Sequence, residues 1–471
     1  MIREKRIFNY SYYFKGFTVR FIQSLLQSPA RVTIIGFASL IGIGTFLLLL
    51  PQASTNEDIG LVNAIFTSTS ATCVTGLVVL DTGHSFTLYG QLVILILIQI
   101  GGLGIMTIST FFLLIAGRRP SLIGRIIIKD SFTHGGDIDL LSIIQDVLKF
   151  TFLIEGFGAA LLFFRFLPGK AVEEALYLSF FHSISAFCNA GFSLFPDNFI
   201  SYRQDWAVNI IISFLVISGG IGFLVLSELK GQLPFNRRLW QRLSLHSKLV
   251  ISLTVILLFF SSFIVIIMEW ENTLASLSIT ERCMAGFFQA VSARTAGFNT
   301  IFIGDMANET LFLLILLMFI GASPGSCGGG IKTTTLACLG ILGVSRLRGK
   351  ERPQVFHRTI SDVSVGKSIS IVMVSASVII AATLILLITE LGEVPHDLSR
   401  GKFLELLFEV VSAFGTVGLS TGVTPGLSTS GKLIITFVMF TGRLGPLAIA
   451  LAASRPKTSR YFYAEENIMI G

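Results

Sequence analysis

The sequence predicts an all-α, polytopic membrane protein built from four pseudo-fourfold repeats, with eight spanning helices and four re-entrant loops. Three observations carry that expectation. The 471-residue chain is 52% hydrophobic and 13% charged, with 42 Phe and mean hydropathy +0.77, about half the charge density of a soluble domain. Its basic residues gather in alternate connections. One short glycine-ended motif recurs four times.

The apolar runs come first. Crossing a hydrocarbon core takes roughly 20 residues, and the runs at 32–50, 91–116, 206–227, 249–268, 369–389 and 431–453 are long enough. Residues 1–31 are polar and basic and do not read as a cleaved leader.

Charge sets the orientation. Lys and Arg cluster at 3–31, 118–149, 230–248, 346–367 and 455–460, while the alternate connections carry acids such as Glu57, Asp58, Glu173, Glu174, Asp197, Asp205, Glu269 and Glu271. This is the positive-inside pattern. It places both termini and the three basic loops in the cytoplasm, where they meet anionic lipid or an acidic partner. The net charge of +7 is explained by topology, so no nucleic-acid partner is expected.

Five cysteines without metal-ligand spacing, and six scattered histidines, predict neither a disulfide framework nor a metal centre. No nucleophile–base constellation is present, so an enzyme is not expected.

The repeated motif reads SATCVTGL (70–77), SAFCNAGF (185–192), SARTAGF (292–298) and SAFGTVGL (412–419). The third copy is one residue shorter between its serine and its glycine. Each copy follows a short, mostly apolar run, at 60–71, 173–187, 281–293 and 402–414, too short to span. Each precedes a longer apolar segment with a glycine kink: QIGGLG, ISGGIG, FIGASPG or FTGRLG. The chain therefore divides into an N-terminal cytoplasmic segment (1–31) and four units at 32–117, 146–230, 248–345 and 368–455. Linkers at 118–145, 231–247 and 346–367 separate the units, and a tail follows (456–471). Each unit reads as spanning helix, half-helix, glycine loop, spanning helix.

Irregular backbone at membrane depth is tolerated only when buried in protein or lining an aqueous cavity. Four equivalent loops around one axis would stack backbone carbonyls into rings that replace the hydration shell of a monovalent cation. The candidate ligands are the carbonyls of Val74, Thr75 and Gly76; Asn189, Ala190 and Gly191; Thr295, Ala296 and Gly297; and Thr416, Val417 and Gly418. Glycine supplies the positive φ that aims successive carbonyls alike. No Asp or Glu lies in these segments, which disfavours a divalent site or a carboxylate relay. Asp81 and Asn299 are expected at the outer mouth, and Phe298 behind its loop. A carrier of another small solute coupled to an ion is the alternative. It would need inverted repeats of several helices, whereas four short parallel repeats are seen.

The segments TCVTGL, FCNAGF, ARTAGFN and GTVGLS resemble the four filter segments of the Trk/Ktr/HKT superfamily of potassium transporters. The resemblance covers essentially the whole chain. It is strongest to the membrane subunits of bacterial Ktr systems, which also have eight crossings. It implies potassium uptake across the cytoplasmic (inner) membrane, with K+ held only at the filter carbonyls, no covalently bound cofactor, and uptake promoted by Na+. It also implies a homodimer with one pore per subunit. A cytosolic octameric ring (KtrA-like, RCK-type) would dock on the basic loops, with nucleotide (ATP or ADP) on that partner. Gly76 stands where some plant relatives carry Ser and pass more sodium, which supports potassium here.

Two further features lie beyond the loops. GASPGSCGGGIKTTT (321–335) interrupts the second helix of the third unit with five glycines and a proline. Ile331 separates Gly330 from Lys332 and no strand precedes, so this is not a phosphate loop. It reads as a flexible intramembrane gate below the filter, with Gly325, Gly328, Gly329, Gly330 and Lys332 as its working residues. The resemblance supports a gating loop at this place. Arg443, a charge in the kink of the last unit, is expected under the filter, helping that loop obstruct the path. Arg294 is expected to brace the third loop from behind, bonded to carbonyls or to Glu409 or Glu281.

Overall fold

A computed structural model describes residues 29–55, 59–104, 140–232 and 239–445. Most of the expected N-terminal segment and of the first linker, and the C-terminal tail, lie outside these residues.

Each unit opens with a long helix. These are α1 (Pro29–Leu48), α4 (Leu140–Phe166), α8 (Leu245–Met268) and α12 (Asp362–Leu391). All four are long and apolar enough to cross a membrane. Ser244 and Ser361 cap the third and fourth of these, their hydroxyls accepting from the N–H groups of Ser247 and Ser364. Large apolar side chains cover their outer faces, including Phe259, Leu153, Phe164 and Ile380, which are 68–77% exposed. Polar side chains such as Ser70, Ser185, Asn189, Thr295 and Thr416 are buried toward the centre. Apolar outside and polar inside is the arrangement a bilayer solvent selects.

The half-helices follow as α2 (Leu61–Thr72), α5 (Val172–Phe187), α9 (Ile279–Ser292) and α13 (Lys402–Gly415). Their last turns are buried in all four units. The α9 start carries a capping box, in which Ser278 and Glu281 satisfy each other's backbone N–H groups.

The second helices are α3 (Leu88–Leu103), α6 (Trp206–Ile221), α10 (Asn308–Phe319) and α14 (Thr429–Leu444). Among the described residues these second helices are short. Four described helices are long and apolar enough to cross, or five if a bent pair counts as one. The second helices stop at 12 to 16 residues. Three of them end on a left-handed glycine: Gly104 (φ 83), Gly222 (φ 97) and Gly445 (φ 83). After Gly222 the chain bends by 96° into α7 (Phe223–Lys230). After α10 it runs through the 321–332 loop before resuming as α11 (Thr333–Leu347).

Packing closes the four units into a ring. Within a unit the half-helix packs on the first helix: α1 on α2, α4 on α5, α8 on α9 and α12 on α13. Between units the second helix packs on the next half-helix: α3 on α5, α6 on α9, α10 on α13, and α14 back on α2. Glycines permit the tightest of these approaches. A Cβ on Gly101, Gly219 or Gly442 would lie 2.7–2.8 Å from the carbonyl carbon of Thr72, Phe187 or Phe414, at the end of its own half-helix. On the side where α11 and α12 meet, a small hairpin of β1 (Gln354–Val355) and β2 (Arg358–Thr359) sits in the 346–367 linker.

Candidate ion pathway

The four half-helices deliver their loops to one point. An ideal Cβ on Gly76 would stand 3.0 Å from the α-carbon of Gly191; on Gly191, 3.0 Å from Gly297; on Gly297, 3.1 Å from Gly418; and on Gly418, 3.0 Å from Gly76. It would also strike the carbonyl oxygen just before the next glycine: Ala190, Ala296, Val417 and Thr75 in turn. The contacts run one, two, three, four and back to one. Any side chain at these positions would collide with backbone, so the ring requires glycine four times.

Two residues before each glycine the backbone turns left-handed. Val74 (φ 57), Asn189 (φ 59), Thr295 (φ 71) and Thr416 (φ 49) all take this conformation. Three of them are β-branched, and such outliers cost on the order of 1–3 kcal/mol each. The motif serine, unassigned in the sequence reading, helps hold the strain. Ser70 and Ser185 donate to the carbonyls of Leu77 and Phe192 at 2.7 Å, and Ser292 donates to that of Phe298. Ser70 and Ser412 also accept from the N–H groups of Gly76 and Gly418. The third loop makes the same serine bond with one residue fewer. Its presence in every copy was the available signal.

Above the glycines opens a cavity of about 520 Å³, lined by all four of them and by Asp81, Asp197 and Asn299. Asp81 is spent partly on the N–H groups of Gly83 and His84. Phe298 packs edge-on against Phe199 behind the ring, 5.3 Å between centroids.

Below the glycines lies the 321–332 loop, tied to the second, third and fourth units. Gly329 N–H donates to the Thr416 hydroxyl at 2.9 Å, and a Cβ on Gly328 would strike the Thr295 side chain. Gly220 and Gly219 carbonyls accept from Ser323 and Cys327, and Gly325 accepts from Phe223. Arg443 completes the set, its guanidinium donating to the Cys327 carbonyl in the loop and to the Gly101 carbonyl of the first unit. No carboxylate pairs with Arg443 among the described residues. Lys332 folds back onto the Gly328 carbonyl at 2.6 Å. Gly330, Lys332 and Arg443 line a second cavity, of about 210 Å³.

Arg294 lacks the acid partners expected of it. It is buried and lines a narrow side cavity with Val216, Ile217, Thr254 and Leu258. Its Nε has no hydrogen-bond partner, nor has the Thr254 hydroxyl. Neither expected acid reaches it. Glu409 is taken by Ser420, Thr421 and Thr424, and Glu281 by its capping box. In register Arg294 matches Cys73, Cys188 and Gly415, all small residues at the half-helix end, so the third unit alone places a long cation there.

A ring of buried backbone at the meeting point of four half-helices, inside an apolar outer belt, defines a multi-pass membrane protein of the transporter class. The TrkH model, described as cation transport protein, matches residues 24–461, and the chain belongs to that family. It is 40% identical to Ktr system potassium uptake protein B of Bacillus subtilis, covering 94% of this chain and 97% of that one. It is 36% identical to the potassium/sodium uptake protein NtpJ of Enterococcus hirae, covering 94% and 97%. Among solved structures, the potassium transporter TrkH from Vibrio parahaemolyticus shares the fold, with TM-score 0.70 at 18% identity over 89% of this chain and 83% of that one.

Proposed function

We propose that this chain is the pore subunit of a potassium uptake system, conducting K+ through the carbonyls of the four glycine loops. The observation that carries the reading is the closed contact ring of Gly76, Gly191, Gly297 and Gly418. Carbonyl oxygens converging there offer a dehydrated monovalent cation its ligands without a fixed negative charge. The names of the relatives, potassium uptake and potassium/sodium uptake proteins, agree with that cargo.

In this reading the chain crosses the cytoplasmic membrane eight times with both termini inside, the second helices crossing as kinked or broken spans. The 321–332 loop is the gate, and Arg443 is its latch. The protein works as a homodimer. A cytosolic nucleotide-binding ring, docked on the basic connections, releases the latch, and sodium promotes the flux.

Purified protein in proteoliposomes, with and without a regulatory ring, tests this through rubidium influx and its competition by K+ and Na+. Influx blocked by K+ well below the Na+ concentration needed supports it. Absence of any monovalent cation flux with the ring present overturns it.

A further inference from the structure

Three residues before the motif serine, the half-helices carry Thr67, His182, Gln289 and Glu409. These positions are equivalent in register, yet only two of them clamp the segment above their loop. His182 donates from Nδ1 to the Leu178 carbonyl at 2.8 Å. Its Nε2 is thereby left to accept from the Ser193 hydroxyl at 3.1 Å and the Leu194 N–H at 3.3 Å. Glu409 accepts from the Ser420 hydroxyl at 2.7 Å, the Thr421 N–H at 3.0 Å and hydroxyl at 3.3 Å, and the Thr424 hydroxyl at 2.5 Å. Both side chains are fully buried. Among the described residues Thr67 makes no such clamp, and both polar atoms of Gln289 lack partners.

The clamped residues have a definite place. Val78, Ser193, Asn299 and Ser420 each stand two residues beyond a ring glycine, and all four line the outer cavity. The contact order puts units two and four on opposite sides of the axis. The two clamps are therefore diagonal. One opposing pair of segments is pinned from behind by a side chain of its own half-helix; the other pair has no such clamp, the Asn299 carbonyl being held instead by the Phe199 N–H at 3.1 Å.

We propose that His182 and Glu409 are positioning residues for ion discrimination, fixing the Ser193 and Ser420 segments across the axis so that the mouth of the filter cannot contract around a smaller cation. The proposal rests on the potassium-filter reading above. A carboxylate suits the task because it accepts several hydrogen bonds at once, and hydrogen bonds to a charged group are about twice as strong as neutral ones. Neither residue touches the ion; each acts through the segment it holds.

The test is rubidium influx into proteoliposomes holding the full chain and its regulatory ring, with Na+ as competitor. Glu409→Ala removes the bonds to Ser420, Thr421 and Thr424, so its K+-over-Na+ preference should fall about tenfold or more. Glu409→Gln keeps an acceptor for the Thr421 N–H and should stay within about threefold of the parent. His182→Leu, which fills the same aromatic pocket without an acceptor, should move in the Ala direction. Thr424→Val should lower the preference modestly and add little on a Glu409→Ala background, because both act through one bond. If Glu409→Ala fails to fold, Thr424→Val and His182→Leu carry the measurement. Parental preference in folded Glu409→Ala, or in both of those substitutes, overturns the proposal, as does a Glu409→Gln protein as unselective as the Ala variant. A parent protein with no rubidium flux would overturn the potassium reading instead.

Discussion

Arg443 and Cys327 are joined by a hydrogen bond across 116 residues of sequence, guanidinium to loop carbonyl. The same guanidinium also reaches the Gly101 carbonyl. One side chain of the last unit thus pins the loop of the third against a helix of the first. If the loop is the gate, Arg443→Gln should loosen it. Losing charge-assisted bonds worth about 1.5–3 kcal/mol should raise rubidium flux without the regulatory ring about tenfold. Unchanged flux and unchanged regulation would remove Arg443 from the gating scheme.

The glycine ring makes a second expectation. Gly297→Ser adds a Cβ against the Val417 carbonyl and the Gly418 α-carbon, at a left-handed position (φ 74). The third loop must shift outward to accommodate it. Preference for K+ over Na+ should fall about tenfold or more, since the strain alone is on the order of 1–3 kcal/mol. Intact discrimination in a folded variant would exclude the Gly297 loop from the filter.

Arg294 predicts a gain. A buried guanidinium whose Nε finds no acceptor carries an uncompensated desolvation cost. Arg294→Met fills the same apolar cavity without the charge. Thermal unfolding in detergent should show stabilisation of about 1–4 kcal/mol. A clear loss of stability would reveal an acceptor at Arg294 that these contacts do not contain.

Glu269, at the outer end of α8, gives a pH expectation. Burial raises its carboxyl pKa. Hydrogen bonds from the Thr273 hydroxyl at 2.8 Å and the Ala307 N–H at 2.9 Å more than offset that, holding it below the ordinary 4.5. A depressed folded pKa stabilises the protein above the ordinary carboxylate range, and the contribution is lost as pH falls through the depressed value. Glu269→Gln should therefore flatten the acid limb of stability below pH 4.5. A variant whose unfolding temperature drops with acid as steeply as the parent's would assign that limb elsewhere.

Much of the central architecture was legible because it repeats. The four Ser-to-Gly motifs located the half-helix ends, and the structure brings their glycines together. Features set by one unit alone were not legible. The 354–359 hairpin turns through Phe356 and His357, both left-handed, without the Asn-Gly pair that signals such a turn. Arg294 sits where a cation suits a helix dipole, and composition cannot say whether an acid reaches it. Glu409 looked like a partner for that arginine, because sequence gives no hint that three hydroxyls of its own unit surround it.

The packing of α14 on α2, and the 342-residue reach of Arg443 to Gly101, have a consequence for biosynthesis. A chain emerging from the ribosome holds three of the four loops long before the last exists. Until the final hundred residues are inserted, the strained turns at Val74, Asn189 and Thr295 lack the neighbour that closes their circle. The circle of Gly76, Gly191, Gly297 and Gly418 is therefore complete only once the fourth unit has docked on the first.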